Sequence, residues 1–270
     1  MSGNLFSRIE QSRFYDWAMR LPIVLYSLYA LVHDVIGFSA QVAQEPAAWA
    51  QADAGVIIAT LARVSQWMFV ALLAVLPLFR HRPIAKSAAL PPRLAALVTV
   101  VIPPFCVLLD RAPPNLWCNL LAVAAGVSAS ILGALTLSFL GRSFSVMPEA
   151  RRLVTSGPYS IVRHPLYLFE LLGVVGILLQ VRSLPGVLLL GLIVGLQIAR
   201  ARWEEGVLGR AFPEYAAYRR QVPFLFPRDP RSLFRLLRED PMARRRSAVV
   251  MSSAFGLMAL VVIALPRLVG

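Results

Sequence analysis

The chain has 270 residues, 58% of them hydrophobic and 15% charged, with a mean hydropathy of +0.67. This balance excludes a soluble globular domain, and several apolar stretches are long enough to cross a bilayer. The formal net charge of +13 comes almost wholly from arginine, which points to loops facing an anionic inner leaflet and not to nucleic acid.

Inside lipid the backbone must bond to itself, and no alternating strand pattern is present, so the fold class is an all-α polytopic membrane protein. The pattern predicts about seven transmembrane helices, near 21–42, 55–79, 94–110, 116–140, 165–181, 184–201 and 247–266. The first lacks a small-residue cleavage site after it and reads as an uncleaved span. His33 and Asp34 fall within that span, where hydrogen bonding between helices accounts for them. Cys106 and Cys118 lie in apolar segments without metal-ligand spacing, so no disulfide or zinc framework follows. The fifth and sixth spans are short and are joined by Arg182-Ser183-Leu184-Pro185-Gly186, a tight helical hairpin.

Loop charges alternate along the chain. Arg8, Arg13 and Arg20 precede the first span, whereas 43–54 carries Glu45 and Asp53 and no basic residue. The 80–93, 141–164 and 202–246 connections are again rich in arginine, and 111–115 has a single basic residue. The positive-inside rule then puts the N-terminus and every motif-bearing loop in the cytoplasm. Three regions follow: N-terminal spans over 1–140, a motif-bearing core over 141–227, and a basic segment with a last span over 228–270. Residues 229–246 fit either a short amphipathic helix on the inner leaflet or a basic linker.

Two polar clusters stand at membrane depth without a structural need for them. In the first, Gly157-Pro158 makes a turn and Pro165 suits the first turn of a helix, which puts His164 near its N-cap. Tyr167 follows on the same side, and Arg163, Tyr167 and Glu170 share a face. A helix start favours an anionic group, so the site suits the carboxylate or phosphate end of a small ligand. For Tyr167 alone an interfacial anchor would suffice; the full cluster of turn, arginine, histidine, proline and tyrosine asks for chemistry. The second cluster is Arg200-Ala201-Arg202-Trp203-Glu204-Glu205. Arg200 and Glu204 share a helix face directly after an apolar span, where ionisable groups face a cavity or a partner. Glu205 points elsewhere and is expected as a solvated rim residue. Leu208, Phe212, Tyr215 and Tyr218 then form an aromatic face on a cytosolic helix that either covers a site or only packs.

Residues Leu153–Tyr159, Arg163–Tyr167, Arg200–Leu208, Phe212–Tyr218 and Val222-Pro223 resemble the isoprenylcysteine carboxyl methyltransferase family of integral membrane enzymes. The resemblance spans about 140–227, and its elements occur in the family's order around a short hairpin; residues 1–135 match nothing named. It implies a cytosolic pocket for S-adenosylmethionine, with S-adenosylhomocysteine as product. By resemblance Arg151, Arg152, Leu153, Val154 and Tyr159 would line the cofactor, with His164, Pro165, Leu166, Tyr167 and Glu204 contacting it. Arg200 matches the position that orients the methyl acceptor. Family members vary before Leu153, so Arg151 and Arg152 are the loosest matches. The chain lacks the G-x-G turn of the soluble dinucleotide fold.

The implied function is methyl transfer to a lipophilic or membrane-associated acceptor, most like isoprenylcysteine carboxyl O-methylation, in a bacterial inner membrane. The acceptor would enter sideways between helices and meet the cofactor at the inner interface. A phospholipid or other amine N-methyltransferase, or a thiol S-methyltransferase, would share Glu204 and His164 but differ in its acceptor pocket. An NADPH-dependent sterol-type reductase shares the late His/Pro/Tyr segment and would suit Glu170, but the cluster at 200–205 with Phe212 to Tyr218 is methyltransferase-like. A non-catalytic transporter or scaffold would use His33, Asp34 and Arg63 as its pathway. Neither the acceptor nor the oligomeric state is legible in the residues.

Overall fold

A computed structural model describes residues 20–44, 70–79, 83–86, 89–105, 116–145, 149–181 and 183–253, with residues 17, 60, 64, 67, 68, 81 and 147. Within them the chain is mostly helical. The elements are α1 (Leu21–Gln44), β1 (Ala85–Lys86), α2 (Leu90–Phe105), α3 (Leu116–Leu140), β2 (Glu149–Ala150), α4 (Pro165–Val181), α5 (Leu184–Ala211), α6 (Tyr215–Gln221) and α7 (Ser232–Glu239). A further helical run covers 241–253.

Among the described residues three helices are long and apolar enough to cross a membrane: Leu21–Gln44, Leu120–Ser143 and Leu184–Ala211. Val70–Phe79 and Pro165–Leu179 are shorter apolar helices. Much of the predicted span 55–79 before residue 70, and most of 247–266, lie outside the described residues, as do Arg63 and Cys106. The predicted helices at 116–140 and 165–181 fall where the pattern puts them. α5 runs ten residues past its predicted end at 201, because a polar helical face continues to Arg210 before Pro213 stops it.

Local signals explain the boundaries. Gly141, at φ +50, ends α3 in the left-handed conformation that glycine adopts without penalty. Pro165 opens α4, where its missing N–H costs nothing. Ser183 caps α5 by accepting from the Gly186 N–H at 3.3 Å, with Pro185 in the first turn.

α3 and α4 pack most intimately. A Cβ on Gly176 would come within 3.0 Å of the Ala122 carbonyl and 3.2 Å of Ala125, and one on Gly173 would touch Ala129 at 3.4 Å. Small residues let two backbones approach, which is how helices associate where lipid offers no hydrophobic drive. Asp34 accepts from the Trp67 indole N–H at 2.6 Å, a link to a residue 33 positions later.

The loops assigned to one side by charge meet each other. β1 pairs antiparallel with β2, Ala85 opposite Ala150 and Lys86 opposite Glu149. The Arg142 guanidinium donates to the Phe79 carbonyl at 2.8 Å, and Arg20 donates to the Leu78 carbonyl at 2.8 Å. The Arg163 and His164 N–H groups bond the Pro223 and Phe224 carbonyls at 2.9 and 3.2 Å. The segments around 20, 78–86, 141–164 and 222–225 therefore share one end of the bundle.

Candidate active site

The loop from 151 to 164 is shaped by one glycine. Gly157 has φ +64, and a Cβ there would overlap the Phe139 ring. Only glycine satisfies both constraints. The turn buries Pro158 and Tyr159, and the Ser160 hydroxyl donates back to the Gly157 carbonyl at 2.7 Å. The Tyr218 hydroxyl donates to the Tyr159 carbonyl at 2.7 Å, so α6 holds this turn down. Burial, and then the charge of Glu204, pushes the Tyr159 phenol well above its ordinary value. Burial likewise raises Tyr218, against the opposing effect of Arg163. Both phenols are protonated donors at neutral pH.

Arg163 locks the next turn. Its Nε donates to Glu205 Oε1 at 2.6 Å, and its Nη1 donates to the Arg219 and Val222 carbonyls at 2.8 and 2.7 Å. A guanidinium thus satisfies carbonyls at the C-terminus of α6, where the helix dipole favours a cation. His164 Nε2 shares a hydrogen bond with the same Glu205 oxygen at 3.2 Å. Glu205 is 8% exposed. The expectation of a solvated rim residue is therefore wrong: Glu205 does point away from Glu204, but toward the 161–164 loop, whose position depends on tertiary packing and not on helical spacing.

Above this lock, α4 and α5 run side by side with polar groups in register. The His164 ring stacks on Tyr167, with centroids 5.4 Å apart and planes 6° from parallel. The Tyr167 hydroxyl donates to Glu204 Oε2 at 2.8 Å. One turn deeper, Gln197 Nε2 donates to Glu170 Oε2 at 2.6 Å. Arg200 Nη1 donates to Gln197 Oε1 at 3.0 Å and to Thr99 Oγ1 at 2.7 Å, and its guanidinium lies 4.8 Å from the centre of the Tyr167 ring. Gln197 therefore bridges a carboxylate and a guanidinium by its two amide ends.

These side chains border a cavity of about 530 Å³, a size typical of small-molecule sites. Tyr159, His164, Leu166, Tyr167, Arg200 and Glu204 all line it. Arg151, Arg152, Leu153, Val154 and Pro165 are not among its lining residues. Arg151 is buried and pairs with Glu149, which does border the cavity and also accepts from Ser145 Oγ at 2.9 Å. Arg152 is exposed, Leu153 and Val154 are half-buried, and Pro165 is buried under the first turn of α4. Deeper in, the wall turns apolar with Val174, Ile177 and Ile193, and a polar mouth thus leads to a hydrocarbon-lined interior.

Sequence reasoning missed the N-terminal wall. Tyr26 and Ser27 of α1 and Thr99 of α2 border the same cavity, yet they sit in apolar spans without a recognisable motif. Glu170 was legible as a face-mate of Arg163 and Tyr167; Gln197 was visible only as a polar residue in an apolar run.

Residues 116–215 match the model of the phospholipid methyltransferase family, a segment that holds α3, α4 and α5 and most of the polar cavity wall. Within this segment the chain is similar to the integral membrane methyltransferases, the group that the motifs at 153–167 and 200–208 resemble. It is similar to the cobalt-zinc-cadmium resistance protein CzcN of Cupriavidus metallidurans, 42% identical over 106 residues, which cover 38% of this chain and 46% of the relative. It is also similar to the nickel-cobalt-cadmium resistance protein NccN of Alcaligenes xylosoxydans xylosoxydans, 36% identical over 124 residues, covering 44% of this chain and 57% of the relative. The chain thus spans about half the length of the curated relatives it matches.

Proposed function

We propose that this protein is an integral membrane S-adenosylmethionine-dependent methyltransferase with a lipophilic or membrane-associated acceptor, its chemistry most like isoprenylcysteine carboxyl O-methylation. One observation carries the proposal: His164 and Glu204, from segments 40 residues apart in sequence, border a single cavity and are joined through Tyr167. The phospholipid methyltransferase match over 116–215 supports the reaction class.

The residues present fit the cofactor. S-adenosylmethionine carries an ammonium, a carboxylate and a sulfonium, and when bound it supplies an electrophilic methyl group. Glu204 offers a carboxylate to the ammonium, and the start of α4 beside His164 suits the carboxylate. Tyr167 fixes Glu204, and Glu205 fixes His164, so both donor-binding groups are held before any ligand arrives. Arg200, anchored by Thr99 and Gln197, faces the level at which the polar mouth meets the apolar interior, and orients the acceptor there. Arg151 and Arg152 would support the mouth and not contact the cofactor.

In this proposal the chain makes about seven crossings of a bacterial inner membrane. Its N-terminus and cavity mouth face the cytoplasm, following the arginine-rich loops that gather at one end. The relatives are named for resistance to cobalt, zinc, cadmium and nickel, and metal resistance is the setting this proposal gives the enzyme.

Equilibrium binding of labelled S-adenosylmethionine to the purified protein in nanodiscs tests the reading, with NADPH as competitor. Saturable binding that NADPH does not displace, and that His164→Ala and Glu204→Ala weaken at least about tenfold, supports it. Displacement by NADPH would favour the reductase, and unchanged binding in both variants would sink the site.

A further inference from the structure

The helix α7 is amphipathic in an unexpected sense. At 100° per residue, Arg231, Phe234, Arg235 and Arg238 fall on one face, with Leu233, Leu236 and Leu237 opposite. The leucine face turns inward. Leu236 and Leu237 pack against a cluster of Leu135, Phe139, Tyr159 and Ala243. The arginine face turns outward and carries Phe234, which is 77% exposed. The leucines are therefore half-buried against the protein, and the exposed face is one aromatic ring set among three arginines.

Neighbouring features extend this face. Phe226 is 69% and Met242 55% exposed, just before and after the helix. Seven arginines against three acids occupy 228–246, so the strip is strongly positive despite the exposed Arg235–Asp229 pair at 2.7 Å. Asp240 caps the next helical run by accepting from the Met242 and Ala243 N–H groups at 2.8 and 3.2 Å. From that run Arg246 bonds the Ser138 carbonyl and stacks on Phe139 at 4.4 Å. α7 is thereby held beside the end of α3, where an apolar span gives way to the polar loops.

We propose that the outer face of α7 docks on the anionic headgroups of the leaflet at the cavity mouth, and that this docking braces the Tyr159 turn. Exposed aromatic residues flanked by arginines suit the headgroup layer, and each arginine near an anionic surface adds attraction that salt screens. The brace follows from the opposite face: Leu236 and Leu237 press on Tyr159, whose ring borders the cavity. Membrane charge is thus linked to one wall of the site through a single helix.

Hydrogen–deuterium exchange on the full chain tests this in nanodiscs of phosphatidylcholine alone and of phosphatidylcholine with phosphatidylglycerol. No cofactor or acceptor is needed, so the result stands apart from the enzymatic proposal. Exchange over 232–239 is expected to slow about tenfold in the anionic discs, with a parallel slowing over 157–163 and loss of both at high salt. The combined Arg231→Gln, Arg235→Gln, Arg238→Gln variant should exchange equally in both discs. Equal exchange of the wild type in both discs would overturn the docking. Slowing confined to 232–239 would overturn the brace, and a difference retained in the triple variant would move the lipid contact elsewhere. The wild-type comparison stands even if the variant folds poorly.

Discussion

Tyr167 and Glu204 meet across 2.8 Å and tie the first turn of α4 to the polar end of α5. The phenol is the donor and the carboxylate oxygen the acceptor, so one hydrogen bond orients Glu204. Tyr167→Phe should leave the fold intact and weaken S-adenosylmethionine binding about fivefold, the worth of one net hydrogen bond. Glu204→Gln should cost more, about 30-fold, because a charge-assisted contact is lost. Isothermal titration in nanodiscs checks both values.

Glu205 serves stability. It neutralises Arg163 and bonds His164 in a nearly closed environment. Glu205→Ala should destabilise the protein by about 1–3 kcal/mol, since it leaves the half-buried Arg163 guanidinium with its two carbonyl partners but no counter-charge. The expected signature is a lowered melting temperature in detergent, with Glu205→Asp intermediate. A melting temperature equal to wild type would show that Arg163 is solvated in practice.

Thr99 lies outside the segment matched to methyltransferases, yet it helps aim Arg200. Its hydroxyl hydrogen is directed to the Ala95 and Ala96 carbonyls, each at 3.0 Å, which leaves the oxygen free to accept from Arg200. Thr99→Val keeps the shape and removes the acceptor. Methyl incorporation into membrane lipid extracts should fall about tenfold with cofactor affinity unchanged, and Thr99→Ser should restore it.

Gly157 tolerates no substitution for two separable reasons. Gly157→Ala should cost about 2 kcal/mol or more from the left-handed backbone and the Phe139 overlap together. Adding Phe139→Leu should relieve the overlap and leave the backbone part. Thermal melts of the single and double variants separate the two contributions.

High pH should loosen the α6 contact. The Tyr218 phenol is raised above 10.0 in the folded protein by burial. The unfolded chain then releases its proton first as pH climbs. The stabilisation is complete below about pH 10 and declines above it, toward the folded pKa. Melting temperature should therefore drop beyond pH 10, and Tyr218→Phe should show a shallower drop at a lower baseline.

Spacing along the chain places α3 and α4 almost to the residue, because uninterrupted apolar runs between Pro, Gly and charged residues leave few alternatives. It also pairs His164 with Tyr167 and Arg200 with Glu204, since neighbours on one helix are fixed by 3.6 residues per turn. Contacts between helices are another matter. The links from Glu205 to Arg163 and from Arg200 to Thr99 bridge 42 and 101 positions, and no local pattern encodes such distances. For the same reason residues 229–246 read as either an interfacial helix or a basic linker until Phe139 and Tyr159 are seen beneath the leucines of α7.

The seam of Gly173 and Gly176 against Ala122, Ala125 and Ala129 has a mechanical outcome. With a carbonyl 3.0 Å from where a methyl would sit, a side chain added at Gly176 would wedge these two helices apart. Among the described residues the opposite side of the cavity has no such seam in its lining; there α1 and α2 supply Tyr26, Ser27 and Thr99. The half of the molecule with the fewest recognisable residues thus builds one wall of the cavity, and substitutions there would reshape its interior without disturbing the α3–α4 seam.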